Sequence, residues 1–333
     1  MKIETAFTKM MNIQYPIIGA PMFLVSNADM VVAVSEAGGI GTLPSLNYRP
    51  ESKFADALKE IKSRTKKPIG VNIIVNKSNT RAQNDLKTAL DLGVELFITS
   101  LGSPKEVITE AHKQGAKVIC DVINLEQAKK VQDMGADGVI AVSSGAGGHC
   151  GPISPLVLIP WLRSELQIPV IAAGGIADGA TMAAMLTLGA SAVSVGTRFI
   201  ASKEAQIELA YKEAIVNSTP EDIVMTTRIS GTPLAVINTP YVEKLGLKLP
   251  LYLRLLKDQK LTKKYIVAFL HYFGSKTLEV AATGPSRKSV WSAGQSVGLI
   301  DEILTCEQIV KKLVSEYDRC LQEAPQLKVA GTL

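Results

Sequence analysis

Short runs of apolar, often β-branched residues recur along the chain every twenty to thirty positions, and each gives way to a stretch whose apolar residues return every third or fourth place. The runs fall at 16–20, 40–43, 69–75, 95–99, 117–121, 138–142, 170–173 and 192–195. Between and after them the spacing predicts helices over 29–37, 50–64, 81–92, 104–114, 125–134, 155–166, 179–188 and 203–216. Four of these end on a glycine, as in EAGG (36–39), DLG (91–93), KQG (113–115) and DMG (133–135), where glycine caps a helix before the next strand. Runs such as VIAAG and GVIAV are apolar on both faces, as a parallel sheet covered by helices requires. Strict alternation repeated eight times predicts an α/β fold, a closed (β/α)8 TIM barrel. A doubly wound open sheet builds from the same unit and is the competing architecture; the count of eight favours closure.

After about residue 220 the rhythm stops. The expected organisation is a barrel over 1–225, a small helical subdomain over 226–285 covering the barrel mouth, and a segment 286–333 that returns to the barrel. The subdomain holds a basic helical stretch around 251–272, and the last segment an amphipathic helix around 306–321.

Composition excludes several classes of function. The chain has 333 residues, 47% of them hydrophobic and 20% charged, enough to bury a large core. Its 36 basic and 31 acidic residues leave +5, scattered singly or in pairs, which does not make a nucleic-acid surface. The longest apolar stretch, 265–273, is about half of a bilayer span, so no membrane insertion is expected. The N-terminus carries Glu4 and lacks the apolar core of a signal peptide. Cys120, Cys150, Cys306 and Cys320 form no CxxC pair and no metal-ligand spacing with His112, His149 or His271. A cytoplasmic protein with reduced thiols and no metal is the expectation.

In a barrel the loops after the strands form the active face, and that filter leaves few residues. Glycines end strands seven and eight, in AAGG (172–175) and VGT (195–197), each leading toward a helix N-terminus. Backbone N–H groups exposed there can bind phosphate oxygens, with Thr197 and Arg198 as added donors; either motif alone can also be a tight turn. His149 follows GAGG, a loop almost without side chains, so its imidazole should stand over the mouth as an acid or base. Cys150 beside it invites a nucleophilic reading, although no second base is evident. Asn72 interrupts the apolar run GVNIIV and needs a ligand or backbone partner; Met22 and Phe23 can wall a flat ring or plug the core.

Taken together, APM (20–22), GVNIIV (70–75), GAGGHCG (145–151), PVIAAGGIADG (169–179), VSVGTRF (193–199) and GQSVGLID (294–301) resemble the nitronate monooxygenase family. That family, formerly the 2-nitropropane dioxygenases, also contains the FMN-dependent enoyl-acyl-carrier-protein reductase of the second type. The likeness runs from about residue 3 to 310 and is weakest over 231–285. It implies a TIM barrel that holds FMN non-covalently across its mouth. By that likeness Ala20, Pro21, Met22 and Asn72 contact the ring region, and Gly147 and Gly148 lie beside it. Ala173, Gly174, Gly175, Gly196 and Thr197 hold the phosphate, Gln295 approaches the cofactor, and His149 is the catalytic histidine. One departure stands out: many relatives carry a basic or amide side chain after strand five, where this chain has Asp121. A carboxylate there disfavours an anionic reduced flavin unless it is protonated or turned away.

The resemblance implies oxidation of an alkyl nitronate with O2 to a carbonyl compound and nitrite. The alternative is an NAD(P)H-dependent reductase acting on an enoyl thioester, or a related NAD(P)H:quinone reductase. A flavin-binding protein without turnover is an alternative of another class, against which His149 argues. A homodimer is expected by analogy with relatives.

Overall fold

A computed structural model of the chain describes residues 2–76, 79–250 and 289–323. The helix expected around 251–272 lies outside the described residues. Eight parallel strands, β1 (Ile17–Gly19), β2 (Ile40–Pro44), β3 (Ile69–Ile74), β4 (Leu96–Ser100), β5 (Lys117–Val122), β6 (Gly138–Val142), β7 (Val170–Ala173) and β8 (Ala192–Val195), pair in sequence order. β8 pairs back onto β1, with Ile17 beside Val193 and Gly19 beside Val195, so the sheet closes. Each strand lies within one residue of its expected bounds.

Helices α2 (Ala28–Glu36), α3 (Glu51–Arg64), α4 (Ala82–Asp91), α5 (Lys105–Lys113), α6 (Leu125–Asp133), α7 (Pro155–Glu165) and α8 (Gly179–Thr187) follow the first seven strands. Glycines 38, 93, 115 and 135, just past four of these helices, all have positive φ, as their sequence positions predict.

The closed sheet separates two apolar layers. Ile18, Ile40, Leu96, Ile98, Ile119, Ile140 and Ile171 point inward and fill the barrel. Neighbouring strand residues such as Val71, Ile73, Phe97, Val118 and Val139 point outward into the helix layer. A short helix that the sequence pattern did not predict, α1 (Ala6–Met11), packs Phe7 and Met11 into the inward cluster together with Ile13. Its capping box joins Thr5 and Thr8, and left-handed Asn12 ends it. The N-terminal end of the barrel is therefore stoppered by side chains, each worth about 1.5–3 kcal/mol of burial.

After β8 the chain departs from the simple unit. α9 (Thr197–Ile200) and α10 (Leu209–Asn217) lead to an antiparallel ribbon, β9 (Ile223–Thr226) and β10 (Leu234–Ile237), and then to α11 (Pro240–Leu245). The last helix, α12 (Cys306–Glu323), packs against α8 and α2 and takes the eighth outer place. The pattern assigned that place to the helix following β8. α12 wins it because Ile309, Val310, Leu313 and Val314 give it a continuous apolar stripe.

Candidate functional site

Above the isoleucine layer the inward positions turn polar. Asn72 (β3), Ser100 (β4) and Asp121 (β5) form a hydrogen-bonded row: Asn72 Nδ2 donates to Ser100 Oγ at 2.8 Å, and Ser100 Oγ donates to Asp121 Oδ2 at 2.5 Å. The second Asn72 Nδ2 hydrogen goes to the Ile98 carbonyl at 3.2 Å. The protein itself thus satisfies the amide nitrogen for which the sequence suggested a ligand or backbone partner, and Asn72 Oδ1 is left as an acceptor. Burial pushes the Asp121 carboxyl up to about 6, against the lowering effect of the Ser100 hydrogen bond.

The loop after β1 is braced from a neighbour. Ala20 N–H donates to the Val195 carbonyl at 2.9 Å, extending the β1–β8 pairing. Asn47 Nδ2 donates to the carbonyls of Met22 (3.1 Å) and Ser26 (2.8 Å), and its Oδ1 accepts from Leu24 N–H at 2.8 Å. These bonds hold Leu24 at φ 61° and leave Pro21 and Met22 half-buried at the rim. A Cβ added at Gly196 would stand 3.7 Å from Ala20 Cβ and 3.8 Å from Met22 Sδ, so the β8 end and this loop face each other.

At the end of β7, Gly174 has φ 108° and Gly175 φ 77°. A side chain on Gly174 would strike Ala146 N and Ser143 Oγ at 2.8 Å, whereas at Gly175 nothing lies within 4 Å. One glycine packs and the other opens the backbone. Among the described residues, the N–H groups of Gly175, Ile176, Gly196 and Thr197 donate to no protein acceptor. β7 and β8 are paired neighbours, Ala173 beside Ser194, so these amides converge. The Thr197 hydroxyl accepts from Gly294 N–H at 3.0 Å and retains its own hydrogen. Arg198 behaves otherwise than the sequence suggested. Its Nη1 donates to the Glu302 carbonyl at 2.9 Å, fastening the returning C-terminal segment.

The loop after β6 carries the histidine and is held on both flanks. On one flank Gly147 lies flat against residues 293–294: a Cβ there would come within 2.8 Å of the Ala293 carbonyl carbon. Gln295 N–H donates to the Gly145 carbonyl at 3.1 Å, which brings Gln295 to the mouth. On the other flank Gly148 exchanges two hydrogen bonds with Ala235 of β10, at 3.1 and 2.8 Å. The exposed His149 ring meets buried Ser230 Oγ through Nε2 at 2.9 Å, and Ser230 is backed by the Thr232 carbonyl at 3.2 Å and hydroxyl at 3.1 Å.

The structure therefore gathers residues from the ends of β1, β3, β6, β7 and β8 with Gln295 around one opening. Against this geometry, a family model described as Nitronate monooxygenase matches residues 4–316. The chain belongs to the nitronate monooxygenase family. A probable nitronate monooxygenase from Staphylococcus saprophyticus is 30% identical over 74% of this chain and 82% of its own. The (3aS,4S,5R,7aS)-5-hydroxy-7a-methyl-1-oxo-octahydro-1H-indene-4-carboxyl-CoA dehydrogenase of Mycobacterium tuberculosis is 29% identical over 98% of this chain and 99% of its own. FabK from Thermotoga maritima superposes with a TM-score of 0.86 at 33% identity, covering 98% of this chain and 100% of that one.

As a member of the nitronate monooxygenase family the chain is an oxidoreductase. Nothing among the described residues favours the nucleophilic alternative for Cys150, next to the histidine. Burial pushes its thiol up, and its Sγ lies 4.0 Å from Met225 Sδ, with no activating base among the described residues. Residues the sequence reading missed are Asn47, Ser100, Ser143 and Ser230. Ser143, like the others a single polar residue without periodic signal, ties the β6 end to the Ala173 carbonyl at 2.7 Å. Among the described residues no helix is long and apolar enough to cross a membrane.

Proposed function

We propose that the barrel mouth holds FMN and that His149 handles a proton at a carbon activated by a nitro group, making the chain a nitronate-oxidising enzyme. The observation that carries this reading is the exposed His149 ring, bonded to Ser230, beside an opening that presents four backbone N–H groups without an acceptor among the described residues. The residues present fit such a cofactor. Amides at the ends of β7 and β8 suit a phosphate dianion, open Gly175 leaves room for it, and the rim at Ala20, Pro21 and Met22 suits a flat ring. Ala173, Gly174, Gly175, Gly196 and Thr197 would hold the phosphate. Asn72, Gly147, Gly148 and Gln295 would border the ring.

Bound FMN would supply the redox chemistry between a nitronate and O2 that yields a carbonyl compound and nitrite. The side chains supply position and proton handling. When the Ser230 hydrogen goes to the Thr232 carbonyl, His149 Nε2 is the donor of its hydrogen bond to Ser230. A protonated His149 balances the charge of a nitronate. A neutral His149 takes the α-proton of a nitroalkane. The loop 145–148 beside that ring carries almost no side chains.

A second reading, chemistry at the carbon beside a thioester, draws on the carboxyl-CoA dehydrogenase relative, whose likeness extends over 98% of the chain. His149 would move a proton at that carbon in the same way. Anaerobic mixing of the flavin-loaded protein with propyl nitronate, NADH and NADPH separates the two. The expected result is bleaching of the flavin by nitronate, and oxygen uptake with nitronate alone once air is admitted. No bleaching and no oxygen uptake with nitronate overturns the first reading, and bleaching by a pyridine nucleotide at the rate of turnover then favours the second in the form of NAD(P)H-dependent reduction of a thioester substrate.

A further inference from the structure

The polar row of the mouth has a donor and acceptor balance that can be counted. Asn72 spends both Nδ2 hydrogens inside the sheet, on the Ile98 carbonyl and on Ser100 Oγ. Only its Oδ1 is left to meet a ligand, and that atom accepts. Ser100 has one hydroxyl hydrogen and gives it to Asp121 Oδ2. Asp121 Oδ1 has no hydrogen bond among the described residues, and the half-buried side chain belongs to the inward layer of β5. An ionised Asp121 would thus put a second pure acceptor beside the first. The pyrimidine edge of a flavin carries one N–H flanked by two carbonyls, so it matches one acceptor on the protein and requires a donor next to it.

Resting on the FMN reading above, we propose that Asp121 meets the bound flavin as a neutral carboxyl that donates from Oδ1, so that loading the cofactor takes up one proton at this residue. The surroundings agree. Burial is what raises the carboxyl, the Ser100 hydrogen bond opposes it, and among the described residues no charged side chain contributes. Across the sheet Asp121 is paired with Ile140 of β6. The adjacent Cys120, on the outward face, is a neutral thiol pushed up to about 11 by burial. His149 and Cys150, on the β6–α7 loop, are further titratable side chains at the mouth among the described residues. The sequence departure at position 121 then has a physical meaning: the residue works as an acid, not as an anion.

The test is FMN affinity of the apoprotein, read from quenching of flavin fluorescence between pH 5.5 and 8.5, for the native chain and for Asp121→Asn. Binding linked to one proton weakens about tenfold per pH unit above the carboxyl's range. The amide introduced by Asp121→Asn donates at every pH, so the variant should hold its affinity at pH 8.5 and lack that extra slope. His149 and the FMN phosphate, which titrates near 6, are common to both proteins and cancel in the difference. A second measurement needs only the native chain. Calorimetry at pH 7.5 in buffers of different ionisation enthalpy should return about one proton taken up per FMN bound. Parallel pH profiles, or no proton uptake, overturn this inference and leave the cofactor reading standing. Failure of both proteins to bind FMN at any pH overturns the cofactor reading and this inference with it.

Discussion

The two ends of the barrel are built from the same strands and answer opposite demands. At the N-terminal end Phe7, Met11 and Ile13 close over the isoleucine layer. One carboxylate found there, Asp137 just before β6, accepts from Val118 N–H (2.8 Å), Lys117 Nζ (3.0 Å) and the His112 ring (2.7 Å). Those bonds outweigh its partial burial and hold it below the usual carboxylate range. At the other end Asp121 has one hydroxyl partner and is pushed up to about 6 by burial. A carboxylate surrounded by donors stabilises the fold; one left short of donors is available to a ligand.

Removing the histidine that the upper end exposes should have the largest effect. His149→Ala is expected to lower nitronate-dependent oxygen uptake by about 10²–10⁴-fold, with FMN still bound. Full activity in that variant would break the assignment of chemistry to the upper end. The complementary change is Phe7→Ala below, expected to cost about 3–5 kcal/mol in urea unfolding while leaving FMN affinity of the folded protein unaltered. A flavin defect there would show that the two ends are not independent.

The carboxylates give a finer pair. Asp137 is lowered in the folded state, so its contribution is present above the unfolded value of 3.8 and is lost as pH falls through the folded one. Asp137→Asn should therefore cost about 1–3 kcal/mol at pH 7 and progressively less below pH 4. Asp121 is raised, so the folded apoprotein binds more protons than the unfolded chain between pH 3.8 and about 6, and stability falls as pH rises through that window. Asp121→Asn should consequently raise apoprotein stability at pH 8 and leave it unchanged at pH 3. The gain is about 1 kcal/mol, below the full value of the shift because the side chain is partly open to water. Equal pH profiles for the two substitutions would erase the distinction between the ends.

The barrel was legible because parallel strands covered on both sides are apolar without alternation, and because glycines mark the helix ends. α1 was not, since six residues give too little helical period and Phe7 finds its partners only in the closed barrel. The β9–β10 ribbon escaped because two four-residue runs are separated by seven residues, TRISGTP, and no tight-turn pair joins them. Within the site, glycines and His149 were legible from their place after strands, and Asn72 from its polarity inside an apolar run. Ser100, Ser230 and Asn47 are lone polar residues whose meaning comes from partners 21 to 81 residues away.

The end of β10 and the chain that resumes at residue 289 are joined through one seam. Ile237 N–H donates to the Trp291 carbonyl at 2.9 Å, Thr239 Oγ1 to the Ser289 carbonyl at 2.6 Å, and Val236 bridges Ser292. Residues 236–239 and 289–292 are thus clasped together, and the histidine loop is pinned to β10, which forms one side of the clasp. Lengthening the intervening chain costs little in closure entropy, about 0.6 kcal/mol per doubling. A change in chain length between the two sides of this clasp therefore leaves the histidine loop pinned where it is.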